Sequence, residues 1–273
     1  KQGAFDIGGP IDKNGEFLYR IVGLGRLADT QTDYMQDNKI FIAPSFTWRP
    51  TNDTNFTVLA SYTKDEVKGQ PQQYVPAVGT LFPSPLGRIP YSRYLGEPSF
   101  DRTNGESAMI GYAFEHRFNN ALQFRQNLRY GEVTSDVTSL RNETGDPTSD
   151  PRFPGLPAGY VERSGNLVKA RSNSFTVDNQ LQADFSTGAL THKVLVGVDY
   201  IQAKSDAFYS ASGFFLGNGT IPVGTFYPLN VYAPVYGQVS PDPSTFITFF
   251  HQTSRQSQLG VYAQDEIKFD RFS

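Results

Sequence analysis

The sequence contains no cysteine, which removes disulfide frameworks and thiolate metal sites together. Histidine is scarce, with three among 273 residues, so a histidine-rich metal centre has little to draw on. Net charge is −3, too weak and of the wrong sign to hold nucleic acid. Long apolar runs are also missing. Mean hydropathy is −0.41, and no stretch approaches the roughly 18 apolar residues a transmembrane helix needs. No signal peptide opens the chain, and Lys1 is either a mature start or a point inside a domain. Helical periodicity is absent throughout.

What the sequence does have is alternation with a period of two. In QLQADFSTGALTHKVLVGVDY (180–200), Leu181, Ala183 and Phe185 alternate with Gln180, Gln182 and Asp184. After Ser186-Thr187-Gly188 the pattern resumes, with Val194, Val196, Val198 and Tyr200 on one face and Lys193 and Asp199 on the other. This is a β-hairpin with one apolar side. Nine such stretches are expected, at 4–11, 16–27, 38–49, 54–66, 104–118, 122–136, 171–185, 189–205 and 252–270. Several exceed the usual 5–6 residues of soluble strands and suit a tilted bilayer crossing of about 9–11.

The connections alternate as strictly as the side chains do. Asp12–Gly15, Arg49–Asp53, Asn119–Ala121 and Ser186–Gly188 are tight turns. Longer segments fall between them, at 28–37, 67–103, 137–170 and 206–251. In an antiparallel sheet every second connection lies on the same rim, so one rim carries turns and the other carries loops. Outer-membrane barrels have this asymmetry.

Aromatic residues mark both rims on the apolar parity. Phe17, Trp48, Phe56, Phe118, Phe124 and Phe185 lie toward the short turns, and Tyr62, Tyr130, Phe175 and Tyr200 toward the long loops. Phe175 and Phe185 are separated by about 25 Å along a tilted axis, the height of a lipid band between aromatic girdles. The opposite parity carries Arg20, Arg26, Arg117, Arg125, Arg129, Asp178, Asp184, Lys193 and Asp199 among others. A packed core does not accept so many charges, whereas a wet or plugged lumen does. The competing fold is a soluble antiparallel sandwich. Pro44, inside IFIAPSFTW, is expected to mark a bulge.

The fold class is therefore all-β, an antiparallel transmembrane β-barrel. An open nine-stranded sheet would leave two unpaired edges in hydrocarbon, so these strands are expected to be part of a larger barrel.

RIVGLGR (20–26), IAPSFTWRPTNDTNFTVLASY (42–62), MIGYAFEHRFN (109–119), FRQNLRYGE (124–132), SFTVDNQLQADFSTG (174–188), HKVLVGVDY (192–200) and GVYAQDE (260–266) resemble ferrichrome-type TonB-dependent siderophore receptors. The resemblance covers nearly the whole chain. It implies strands two to ten of a 22-stranded barrel, with the plug and the TonB-contacting box outside residues 1–273. The implied activity is energised uptake of a ferric hydroxamate-type siderophore across the bacterial outer membrane. The implied partners are the siderophore, TonB through the N-terminal region, and outer-membrane lipid and lipopolysaccharide. No cofactor is implied, because the iron arrives already chelated. A porin, a receptor for another ligand and a phospholipase-like barrel enzyme remain as other readings.

The resemblance also points to site residues. In QPQQYVP, Tyr74 matches a ligand-contacting aromatic, while Gln70, Gln72 and Gln73 replace its aromatic neighbours. In SLRNETG, Arg141 and Glu143 stand about where ferrichrome-binding members have tyrosines, which favours a more polar or charged siderophore. AFYSASGFFLG offers Phe208, Tyr209, Phe214 and Phe215. Packing of loop on loop is the competing role for each ring. His116 and His192 have outward parity near the short-turn rim. Ser186 beside His192 suggests a nucleophile and base, but no third orienting group is apparent, so an interfacial histidine is the expectation.

Overall fold

A computed structural model describes residues 1–71, 73–217 and 219–269. Its main sheet is antiparallel and follows chain order. The strands are β1 (Gln2–Pro10), β2 (Phe17–Arg26), β3 (Gln36–Thr51), β4 (Thr54–Lys68), β5 (Arg102–Asn119), β6 (Leu122–Asn142), β7 (Tyr160–Thr187) and β8 (Leu190–Ala211). Three short strands follow, β9 (Gly213–Leu216), β10 (Ile221–Gly224) and β11 (Phe226–Asn230), and then β12 (Ile247–Phe269) pairs with β8. β11 joins the sheet against β7, while β9 and β10 form a separate hairpin. The sheet is open, with β1 and β12 at its edges among the described residues. Asp270, the last position of the ninth expected strand, lies outside them.

Turn chemistry sets the register at the short rim. Asp12 accepts from the backbone N–H of Asn14 at 3.0 Å and of Phe17 at 2.8 Å, and Gly15 supplies the positive φ of 70°. Asn119 accepts from Ala121 N–H at 2.8 Å. Gly188, at φ 64°, closes the β7–β8 hairpin.

With register set, the two faces separate by chemistry. Directly paired residues share a face. Phe17, Trp48, Phe56 and Phe114 form one outward row, and Phe124, Leu181, Val196 and Ala263 another. The inner face aligns Glu115, Arg125 and Gln180, and also Asp184, Lys193 and Glu266. On that face Tyr262 lies over Gly197, where a Cβ would collide with the ring, and donates to Asp178 at 2.7 Å. Asp184 takes hydrogen bonds from Gln182, and Arg125 lies 3.6 Å from Glu115.

Among the described residues no protein layer covers the outward face. Phe185 is 47% exposed and Val196 41%, and Tyr200 is half-buried. The buried apolar cluster of Ile89, Leu95, Val161, Leu229 and Val231 belongs to the long loops and strand extensions instead. Along the short rim the rings form a belt. Phe114 and Phe124 stand 6.2 Å apart, Phe185 stacks on His192 at 5.0 Å, and the Trp48 indole donates to Glu16 at 3.0 Å. The expected sandwich alternative has no counterpart in this arrangement.

Two expectations need correction. The ladders outrun the alternation, so the loops shrink to 27–35, 69–101, 143–159 and 212–246. Beyond the bilayer both faces of β6 and β7 meet polar groups or loops. Backbone pairing continues there, but the period-two signal fades. Pro44 makes no bulge. It faces Ile21 of β2, and the β3–β4 ladder lapses at Ala43 and Pro44 before resuming in the same register at Ser45 opposite Leu59. A missing N–H interrupts a ladder without adding a residue to it.

Val196→Arg is expected to destabilise the folded barrel by about 2–4 kcal/mol, since it places a charge in the lipid band. Gln180→Arg, on the inner face, should have a small effect. Urea unfolding in lipid bilayers measures both, and equal losses would contradict the assignment of faces.

Candidate ligand-binding site

Above the outer girdle the inner-face parity of β6, β7 and β8 carries Arg141, Asn166 and Tyr209. Tyr209 donates to Asn166 Oδ1 at 2.8 Å, which holds the ring against the wall. A register shift between Thr248 and Phe250 in β12 turns both Phe249 and Phe250 toward Tyr209, at centroid distances of 5.2 and 5.8 Å. Phe214, on β9, meets Phe249 edge-on at 5.4 Å. On the other flank the Arg141 guanidinium lies 5.5 Å from the Tyr74 ring centre. Rings and one cation thus face the same space at the outer end of the lumen wall.

Four of the six expected residues, Tyr74, Arg141, Tyr209 and Phe214, meet in this constellation. Phe208 does not. Alternation puts it on the outward face, edge-on to His251 at 5.8 Å. Phe215 points away from its neighbour Phe214 and packs on Phe153 and Phe226 at 5.8 and 5.6 Å, with Arg152 at 4.9 Å. That is the loop-on-loop role. Phe249 and Phe250 escaped the sequence reading because both fell inside an expected loop.

The Tyr74 segment is fastened by its neighbours. Asn142 donates to the Tyr74 carbonyl at 2.7 Å, and Gln73 accepts from Leu95 N–H at 2.7 Å. Gln70 is buried, and Gln72 lies outside the described residues. The glutamines at 70 and 73 therefore belong to the loop's interior and not to its open face.

Beneath this segment lies a buried charged hub. Arg163 of β7 is 1% exposed and donates to the carbonyls of Tyr227 at 3.0 Å and Gly96 at 2.5 Å. Glu97 Oε2 sits 4.0 Å from Arg163 Nη2, while its Oε1 accepts from Gly237 N–H at 2.9 Å. Asp101 accepts from the Tyr94 hydroxyl at 2.6 Å and from the N–H groups of Glu97 and Leu140 at 3.0 and 2.8 Å. Burial pushes the Asp101 carboxyl up to about 6, against the pull of those hydrogen bonds and of Arg163. One hub thus joins loop 69–101 and the segment 226–237 to β6 and β7.

At the opposite rim the structure supplies what the sequence hid beside His192. Its Nδ1 lies 2.7 Å from Asp265 Oδ2, and its Nε2 lies 2.6 Å from Thr187 Oγ1, not from Ser186. A third group therefore exists. The chain of hydrogen bonds spans β7, β8 and β12 at the turn rim and clasps the three strands where the girdle ends.

A model of the TonB dependent receptor-like β-barrel family matches residues 27–273. The chain belongs to that family. Its strands cross the bacterial outer membrane. The ferrichrome outer membrane transporter/phage receptor of Escherichia coli K12 is 32% identical over 99% of this chain and 36% of its own length. The ferrioxamine B receptor of Salmonella typhimurium is 31% identical over 98% of the chain and 35% of its own. The chain thus spans about a third of the curated relatives it matches. Among solved structures, the open form of a ferric-catecholate import receptor from Escherichia coli K12 superposes with a TM-score of 0.76. It is 17% identical, over 99% of this chain and 40% of that one, and shares the fold.

The Asp101 geometry sets a pH dependence. The folded value, about 6, lies above the ordinary 3.8, so the folded loops bind the proton more tightly than the unfolded chain does. The stability this proton confers is full below the ordinary value and is lost as pH rises through the folded one. Relative to Asp101→Asn, the free energy for opening loop 69–101 should fall by up to about 1.4 kcal/mol per pH unit across that window. Amide exchange corrected for intrinsic rates measures it, and parallel profiles in the two proteins would refute the coupling.

Proposed function

We propose that this chain is the outer-facing wall of a receptor for energised uptake of a ferric siderophore of the hydroxamate type. The observation that carries the reading is the cluster of Tyr74, Tyr209, Phe214 and Phe249 with Arg141, at the loop end of a lumen wall. Ferric hydroxamates are compact, with apolar flanks and polar edges. Rings offer them broad contact at low entropic cost, and no metal ligand from the protein is required. Relatives named for ferrichrome and ferrioxamine support the class. Uptake itself requires a plug and a link to TonB, which in this reading belong to the whole receptor. A passive porin has no use for an aromatic cluster braced at its outer mouth.

The same reading includes lipid partners. Lys204 and Arg255 stand opposite each other on the outward parity, just beyond Tyr200. Like charges directly opposed destabilise a sheet, and an anionic headgroup of lipopolysaccharide type would relieve them.

Quenching of intrinsic fluorescence by a panel of ferric hydroxamates tests the proposal on the receptor carrying this chain. At least one should bind in the nanomolar to micromolar range, and Tyr74→Ala should weaken it by about 1–2 kcal/mol. Binding of a sugar or a cobalamin, with no siderophore recognised, would assign the receptor to another ligand class.

A further inference from the structure

Deeper selectivity is written into the one cation of the cluster. Arg141 Nε donates to Glu143 Oε1 at 2.9 Å, and Nη2 lies 2.8 Å from the same oxygen. That oxygen also accepts from Ser164 Oγ at 2.5 Å. The carboxylate thus grips one edge of the guanidinium from behind. Exposure is unequal within the pair. The Arg141 side chain is 38% exposed and that of Glu143 only 11%. The Arg141 guanidinium also lies over the Tyr74 ring, 5.5 Å from its centre, so it is held on two sides while the side chain stays partly exposed. Glu162, on the same parity of β7, turns its Oε2 inward, where it is shut off from solvent. Of the Arg141–Glu143 pair, the cation is the more exposed member.

A braced, partly exposed guanidinium over Tyr74, with the rings of Tyr209, Phe249 and Phe214 on the same wall, suits a ligand with an apolar flank and an anionic edge. We infer that Arg141 makes the site selective for ferric chelates that carry a peripheral carboxylate. The inference rests on the siderophore reading above and narrows its ligand class. An incoming carboxylate takes the free N–H edge of Arg141 with two parallel hydrogen bonds, while the chelate's hydrocarbon flank lies on Tyr209 and Phe249. A ligand presenting an ammonium group at the same place meets like charge, a repulsion that Glu143 offsets only from behind.

The test compares two probes with one iron core, ferrioxamine B with its terminal ammonium and its N-succinyl derivative with a terminal carboxylate. Dissociation constants come from fluorescence quenching of the receptor carrying this chain, at low and high ionic strength. The wild type should bind the carboxylate form about tenfold more tightly, with the ratio shrinking as salt screens it. Arg141→Gln should bring the ratio close to one. The double change Arg141→Gln with Glu143→Gln keeps the local charge balanced and should do the same. Lys193→Gln, at the far rim, should keep the wild-type ratio. Equal binding of the two probes by the wild type, or preference for the ammonium form, overturns the assignment to Arg141 and leaves the siderophore reading standing. Failure of both probes, and of every other ferric hydroxamate, overturns that reading as well.

Discussion

Hydrocarbon offers no hydrogen bonds, and the architecture follows from that. Every backbone N–H and C=O that crosses the bilayer must be matched by another strand, and each failure there costs several kcal/mol. This explains strands far longer than those of soluble sheets, long strands that follow one another in chain order, and tight turns that keep register with Asp12, Asn119 and Gly188. Pro44 shows how little irregularity is tolerated. One donor is lost, yet the ladder resumes without a slipped residue.

The same solvent decides where the chain places its apolar mass. A soluble protein packs it between layers. Here the outward rows of Phe, Val and Leu are left for lipid, and the buried apolar cluster lies in the loops around Ile89, Leu95 and Val161. The membrane part and the outer part are thus held by different physics. The first depends on hydrogen-bonded ladders. The second depends on packing, on the Arg163 hub and on buried carboxyls.

Legibility in the sequence followed the same divide. Where one face meets lipid and the other a wet lumen, as in 180–200, alternation revealed strand, face and girdle. Beyond the bilayer the signal failed although the strands continued, because Leu140, Val161 and Arg163 meet loops and not a uniform solvent. The candidate site sits in that outer zone. Arg141 and Tyr209 could be named from family likeness, but Phe249 is turned inward by a register shift that no periodicity announces. Phe208 failed for the converse reason, since simple alternation sends it outward. Asp265 reaches His192 only because β12 lies against β8 in one register, 73 positions away along the chain.

The Arg163 hub has a consequence for how such outer regions diversify. Its guanidinium donates to carbonyls from two distant segments and lies 4.0 Å from the Glu97 carboxylate, all shut away from water. Neither segment can be grafted alone onto a sister receptor without stranding a charge in the dry interior. New ligand preferences must therefore arise either by exchanging both segments as a matched set or by point changes on the exposed ring of side chains above them, and the second route leaves the hidden scaffold intact.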